Sequence, residues 1–156
     1  MKKNKEMYKG TIEIIKRLEA QNIKYRYEHY PSTDNESEHD WLELNLRTEN
    51  IASMLVEMFI EESGFVLIKS FRICKVNNDK RNVMLKLVNS LNRIYIDARF
   101  YVDDENNICA HKFCDLLSSD TYYGSRIIDI LVDYIDDINE AYPQIMEENW
   151  SKTDEM

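Results

Sequence analysis

The feature that most limits the fold of this chain is the order in which the spacing of its apolar residues changes. From about Lys5 to Gln21, Tyr8, Thr11, Ile12, Ile15 and Leu18 recur at steps of three and four, one stripe of a helix. Asn22 can close that helix, because Asn tolerates the left-handed conformation. The spacing then switches to alternation. Ile23, Tyr25, Tyr27 and His29 oppose Lys24, Arg26 and Glu28, which predicts a strand ended by Pro31. Leu42, Leu44 and Leu46 oppose Glu43, Asn45 and Arg47 in a second strand, over Trp41–Glu49. A third strand is predicted over Ser53–Glu61 and a fourth over Phe65–Phe71, joined by a hairpin at Glu62-Ser63-Gly64.

The helical period returns at Lys80–Ile94, where Met84, Leu87, Val88, Leu91 and Ile94 form a stripe behind the capping residues Asn77, Asn78 and Asp79. Ala98–Asp103 and Ile108–Leu116 alternate again and predict a hairpin across Asp104–Asn107. The last helix reaches from Tyr122 or Ser125 to Trp150, with Ile127, Leu131, Tyr134, Ile138, Ala141, Ile145 and then Met146 or Trp150 inward, Ile128, Ile130 and Ile135 widening the stripe, and Pro143 set to kink or divide it. The order α-β-β-β-β-α-β-β-α, without βαβ alternation, predicts an α+β fold: an antiparallel sheet packed by helices. One domain over residues 1–156 is expected, with a mobile acidic loop at 32–40 and a flexible tail at 151–156. The aromatics Tyr25, Tyr27, Phe59, Phe65, Phe71, Phe100 and Tyr101 are expected to form the face beneath the helices.

Charge narrows the classes of partner. The formal net charge is −9 over 156 residues. A net-negative surface repels a polyphosphate backbone, so no nucleic-acid partner is expected. No apolar run approaches the ~20 residues of a membrane span, so no membrane partner is expected either. The basic start Met-Lys-Lys-Asn-Lys-Glu has no apolar stretch behind it, which points to a cytoplasmic location.

The chemistry-bearing residues are scattered. Cys74, Cys109 and Cys114 are an odd set, which suggests reduced thiols packed as small apolar groups. Cys74 beside Lys75 is the one thiol whose pKa a neighbour could lower. Cys109 and His111 share a strand face, but two ligands on one strand do not make a metal site. His39 lies in the acidic loop. There is no Gly-x-Ser-x-Gly and no phosphate-cradling glycine loop, so no catalytic residue, metal or cofactor is assigned. The sharpest charged feature is Asp129, Asp133, Asp136, Asp137 and Glu140, which share broadly one face of the last helix opposite its apolar stripe. That face simply meets water, docks a basic partner, or, if its carboxylates turned inward, would serve a metal or catalytic site. These five are the candidate partner-binding residues.

Several stretches resemble the YbjN family of bacterial sensory-transduction regulators. They are the first helix running into Ile23-Lys24-Tyr25; the Leu44–Glu61 hairpin; Ile73-Cys74-Lys75-Val76 before the helix with Leu87-Val88-Asn89-Ser90-Leu91-Asn92; Phe100-Tyr101-Val102-Asp103; and Ala141-Tyr142-Pro143 with Trp150. The resemblance spans about Thr11 to Trp150. The sequence departs from it in having Asp104-Glu105-Asn106-Asn107 where a Gly-containing turn is common, and in its acidic last helix. The resemblance implies the fold of class I type III secretion chaperones, a homodimer, and a non-enzymatic, chaperone-like or regulatory role with an unidentified protein partner. The other reading is an immunity or antitoxin-like protein whose acidic face blocks a basic partner.

Overall fold

The computed structural model describes residues 7–151. The lysines at positions 2, 3 and 5 and the tail beyond Ser151 lie outside the described residues. The elements follow the expected order: α1 (Lys9–Ala20), β1 (Tyr25–Tyr30), β2 (His39–Leu46), β3 (Met54–Ile60), β4 (Val66–Lys75), α2 (Arg81–Ile94), β5 (Arg99–Val102), β6 (Asn107–Cys114) and α3 (Tyr123–Trp150). The six strands form one antiparallel sheet in the order β1-β2-β3-β4-β6-β5. This is the α+β class expected from the alternating periods. The helix α3 runs on through Pro143.

Contacts gather into two compact units interleaved along the chain, so no single cut separates them. The first takes the residues up to Asn45 with Leu55–Ile68 and Phe113–Val132. Its core is Ile14, Leu18, Leu42, Leu44, Val56, Met58, Ile60, Val66, Ile68 and Ile127, all fully buried. The chain leaves α1 through Asn22, whose φ is 56°. Ile23 N–H donates to the Leu18 carbonyl and Asn22 N–H to that of Glu19, the paired bonds that close a helix on a left-handed residue. The helix start at Gly124 lies so near α1 that a Cβ there would stand 2.7 Å from the Glu13 carbonyl oxygen. Gly64 turns the β3–β4 hairpin at φ 108°, and its carbonyl accepts from the Tyr123 hydroxyl at 2.6 Å.

The second unit takes Leu46–Met54, Lys69–Lys112 and the residues from Asp133 on. Met84, Leu91, Ile108, Cys109, Ala110, Tyr134, Ile138, Ala141 and Ile145 are its buried centre. The Tyr134 hydroxyl, inside that centre, donates to the Ala110 carbonyl and pairs with the Ser70 hydroxyl. Asn106 turns the β5–β6 hairpin at φ 61°, so an Asn fills the left-handed position for which a glycine is common.

Four details differ from the expectations. The stripe of α1 is rotated: Ile14 is fully buried and Ile12 is exposed. Ile94, at the end of α2, is exposed too. The cap of α2 is Lys80 with no side-chain bond, because Asn77 is drawn elsewhere, as described below. Of the seven aromatics expected beneath the helices only Phe100 is buried. In β2, β3 and β4 the inward positions are held by aliphatic side chains together with Asp40 and Ser70, and Phe59 and Phe71 take the other parity, whereas Tyr25 and Tyr27 of β1 are half-buried on the inward side opposite Leu44 and Leu42.

Candidate functional site

The five candidate residues on α3 do not share one fate. Asp129, Asp133, Asp136 and Glu140 are exposed. Among the described residues none of these four forms an ion pair with Lys or Arg. Asp137 is half-buried, and its Oδ2 accepts the backbone N–H groups of Asp97 at 2.9 Å and Ala98 at 3.0 Å. It fastens the turn between α2 and β5 to α3. Two asparagines of the same helix do similar work. Asn139 Oδ1 accepts the Asn50 N–H at 2.9 Å, while Asn50 Nδ2 donates to the Asn139 carbonyl. Asn149, fully buried, accepts the Asn77 N–H and donates to the Lys75 carbonyl at 2.9 Å. Asn77 Nδ2 returns a bond to the Asn149 carbonyl, which is why Asn77 does not cap α2.

The most concentrated polar chemistry lies in the first unit, at a residue assigned from sequence to the mobile loop. The loop ends at Glu38, and His39 and Asp40 belong to β2. Asp40 pairs with His29 across β1 and β2 and is fully buried. Its Oδ2 accepts the Tyr8 N–H at 3.0 Å and the Thr11 hydroxyl at 2.6 Å. Its Oδ1 meets the Tyr27 hydroxyl at 3.0 Å and His29 Nδ1 at 2.7 Å. Four partners use the four lone-pair positions of the carboxylate. Tyr8 is the N-cap of α1 and has no local side-chain cap, so Asp40 supplies from another element the anion that a helix N-terminus favours. Burial, and then the bond to Asp40, push the Tyr27 hydroxyl well above the usual phenol range. The other ring nitrogen of His29, Nε2, faces Glu38 Oε1 at 2.8 Å. Each nitrogen of His29 is thus spent on a carboxylate, and neither is turned outward to a substrate.

The sequence signal for this cluster was strand parity. The alternation Leu46, Leu44, Leu42 continues inward to Asp40, and Tyr25, Tyr27 continues to His29. The acidic run from Ser32 concealed it. The opposite parity builds a second feature that sequence reasoning missed, an aromatic group on the outer side of the first unit's strands. Tyr30 stacks on His39 at 5.3 Å and meets Trp41 edge-on at 6.1 Å, and His39 lies 5.5 Å from Phe59. Arg26 covers the Trp41 ring at 5.6 Å, and Trp41 Nε1 donates to Glu57.

The thiols are packed groups. Cys74, Cys109 and Cys114 are buried. Burial pushes the Cys74 thiol up rather than down, and the Lys75 ammonium donates to the Glu105 carbonyl instead. Burial also raises Cys109 and lowers His111, the latter helped by Lys69 and Arg99. Among the described residues no group of three or more His, Cys, Asp or Glu is arranged to hold a metal ion, and no helix is long and apolar enough to cross a membrane.

No family model matches the chain, and no curated protein matches it. The fold is similar to that of YbjN from E. coli, a protein provisionally described as a transcription regulator, whose crystal structure superposes with a TM-score of 0.53 at 11% identity. The match covers 83% of this chain and 89% of that one. At this identity the likeness is one of fold.

Proposed function

We propose that this chain is a non-enzymatic, cytoplasmic protein-interaction module, chaperone-like or regulatory, that binds a protein partner through the exposed carboxylates of α3. The observation that carries this reading is the split within α3. Asp137 is used internally, whereas Asp129, Asp133, Asp136 and Glu140 face water with no ion-pair cation among the described residues. Like charges at such steps weaken a helix by tenths of a kcal/mol each, so the arrangement fits a role outside the fold. Complementary charge steers association and selects partners. The YbjN-like fold supports a regulatory or interaction role, and a homodimer belongs to the same proposal.

The test compares proteins captured by the wild-type chain and by Asp133→Asn/Asp136→Asn/Glu140→Gln at low and at 0.3 M salt. The expected result is a basic partner held by the wild type at low salt and lost in the variant. Equal recovery by both would overturn the acidic docking face. If the captured partner is an enzyme that this chain inhibits, the same carboxylates support the immunity-like reading instead.

A further inference from the structure

The sheet ends on two edges, β1 and β5, and they are treated differently. β5 has four residues, and the Asn92 side chain closes it. Asn92 Oδ1 accepts the Phe100 N–H at 2.8 Å and Asn92 Nδ2 donates to the Phe100 carbonyl at 2.9 Å, the two bonds a neighbouring strand would make. β1 has six residues. Among the described residues it pairs through its backbone only with β2. An open edge is a template for another strand.

The side chains of β1 say which strand fits. Arg26, Glu28 and Tyr30 are exposed, and Tyr25, Tyr27 and His29 are half-buried. Two copies of β1 can pair antiparallel about a two-fold axis perpendicular to the sheet, and residues directly opposite then lie on the same face. An axis through Tyr27 sets Arg26 opposite Glu28 of the second copy, and Glu28 opposite its Arg26. Moving the axis to Glu28 sets that carboxylate against itself, and moving it to Arg26 does the same for the guanidinium. Like charges directly opposite destabilise a pair and opposite charges stabilise it, so one register is selected. The Arg26 side chain is 67% exposed and already reaches Glu43 of β2 at 3.0 Å, so a carboxylate on its other side extends an alternating ladder.

The ends fit as well. A cavity of about 520 Å³, lined by Glu19, Asn22, Ile23, Lys24 and Tyr25, opens at the start of β1. In the selected register Lys24, one of its lining residues, lies opposite Tyr30 of the second copy. The geometry points to β1 as a self-complementary edge through which two copies of this chain join their sheets, in the register centred on Tyr27. This rests on the homodimer proposed above and names its surface.

The experiment is sedimentation of the full chain, of Arg26→Glu, of Glu28→Arg, of the double swap, and of an equimolar mixture of the two single variants. Circular dichroism would show that each is folded. The wild type is expected at twice 18.7 kDa. Each single variant, which places two like-charge pairs across the axis, is expected to weaken association by about tenfold or more. The double swap and the mixture are expected to restore it, because opposite charges again face each other. Arg26→Glu also opposes Glu43, so Glu28→Arg and the mixture carry the conclusion if Arg26→Glu fails to fold. A dimer that ignores the swaps would overturn this interface and leave the homodimer standing. A wild-type chain that sediments as a monomer at every concentration would overturn both.

Discussion

Asp40 is a buried carboxylate with every acceptor position used, and its removal should be among the costliest single changes in the protein. Asp40→Ala leaves the Tyr8 N–H, two hydroxyls and an imidazole without their partner. Breaking such a network costs about 3–5 kcal/mol, or roughly 6–20 °C in Tm for a chain of this size. Thermal unfolding checks this, with Glu38→Ala, at the half-exposed end of the same chain of bonds, expected to cost far less. Asp103 makes a prediction about acid. Burial alone would raise its carboxyl, but the N–H and side-chain amide of Asn107, the Cys109 thiol and the Glu105 N–H outweigh it and hold it below its ordinary 3.8. A folded-state value below the unfolded one adds stability that is present above about pH 4 and lost as pH falls through the folded value. Asp103→Asn lacks this contribution, so its Tm should fall less steeply between about pH 4 and pH 2. Neither residue announced its role. Asp40 sat in an acidic run, and the bonds to Asp103 come from a turn geometry that only the folded hairpin has.

The helix α3 separates two uses of the same side chain. Asp137→Ala releases two backbone N–H groups of the α2–β5 turn and should cost about 1–3 kcal/mol. Asp133→Ala, one turn away and exposed, should stay within about 0.5 kcal/mol. Urea unfolding of the pair checks this directly. Gly124→Ala is expected to destabilise, because the added carbon meets backbone of α1 rather than a side chain that can rotate away. At this scale periodicity was an accurate guide. From Ile127 to Ile145 the six residues of the inner stripe of α3 are buried, with Ile128 beside them, whereas Ile130, Ile135 and Met146 are half-buried and Trp150 is exposed; Asn22 and Gly64 hold the left-handed positions their residue types suggested. It was less accurate at helix ends. Ile12 satisfies the apolar spacing but lies off the buried stripe of Ile14, Ile15 and Leu18, and Ile94, the last residue of α2, is exposed. For the strand aromatics, alternation told the two faces apart without telling which one met the helices. In β2, β3 and β4 the aliphatic residues took the inner face, where close packing favours them, while Tyr25, Tyr27 and Phe100 share the inner side of the outer strands.

For the whole molecule the acid excess is a matter of placement. Exposed carboxylates on one helix repel each other, and salt screens that repulsion within about 10 Å at 0.1 M. The Tm of the wild type should rise between 10 mM and 0.3 M salt, and the rise should shrink in Asp133→Asn/Asp136→Asn/Glu140→Gln. Calorimetry across that range distinguishes the two. The class of the fold was readable because nine elements changed period in a recognisable order. The candidate docking surface was readable only as a list of charges. Which of those charges the protein uses on itself depended on loops that approach α3 from far along the chain.

The bond between Asp40 and Tyr8 spans 32 positions. During synthesis, at about 5–20 residues per second, the start of α1 emerges roughly 2 to 6 s before the residue that completes it. Through that interval the helix has no cap of its own and is no longer than other segments that are marginal in water. The order of birth and the order of folding are therefore opposed at this end of the protein. An excised peptide covering residues 7–22 should be largely unstructured, and helix α1 should gain protection from hydrogen exchange only once β2 has formed.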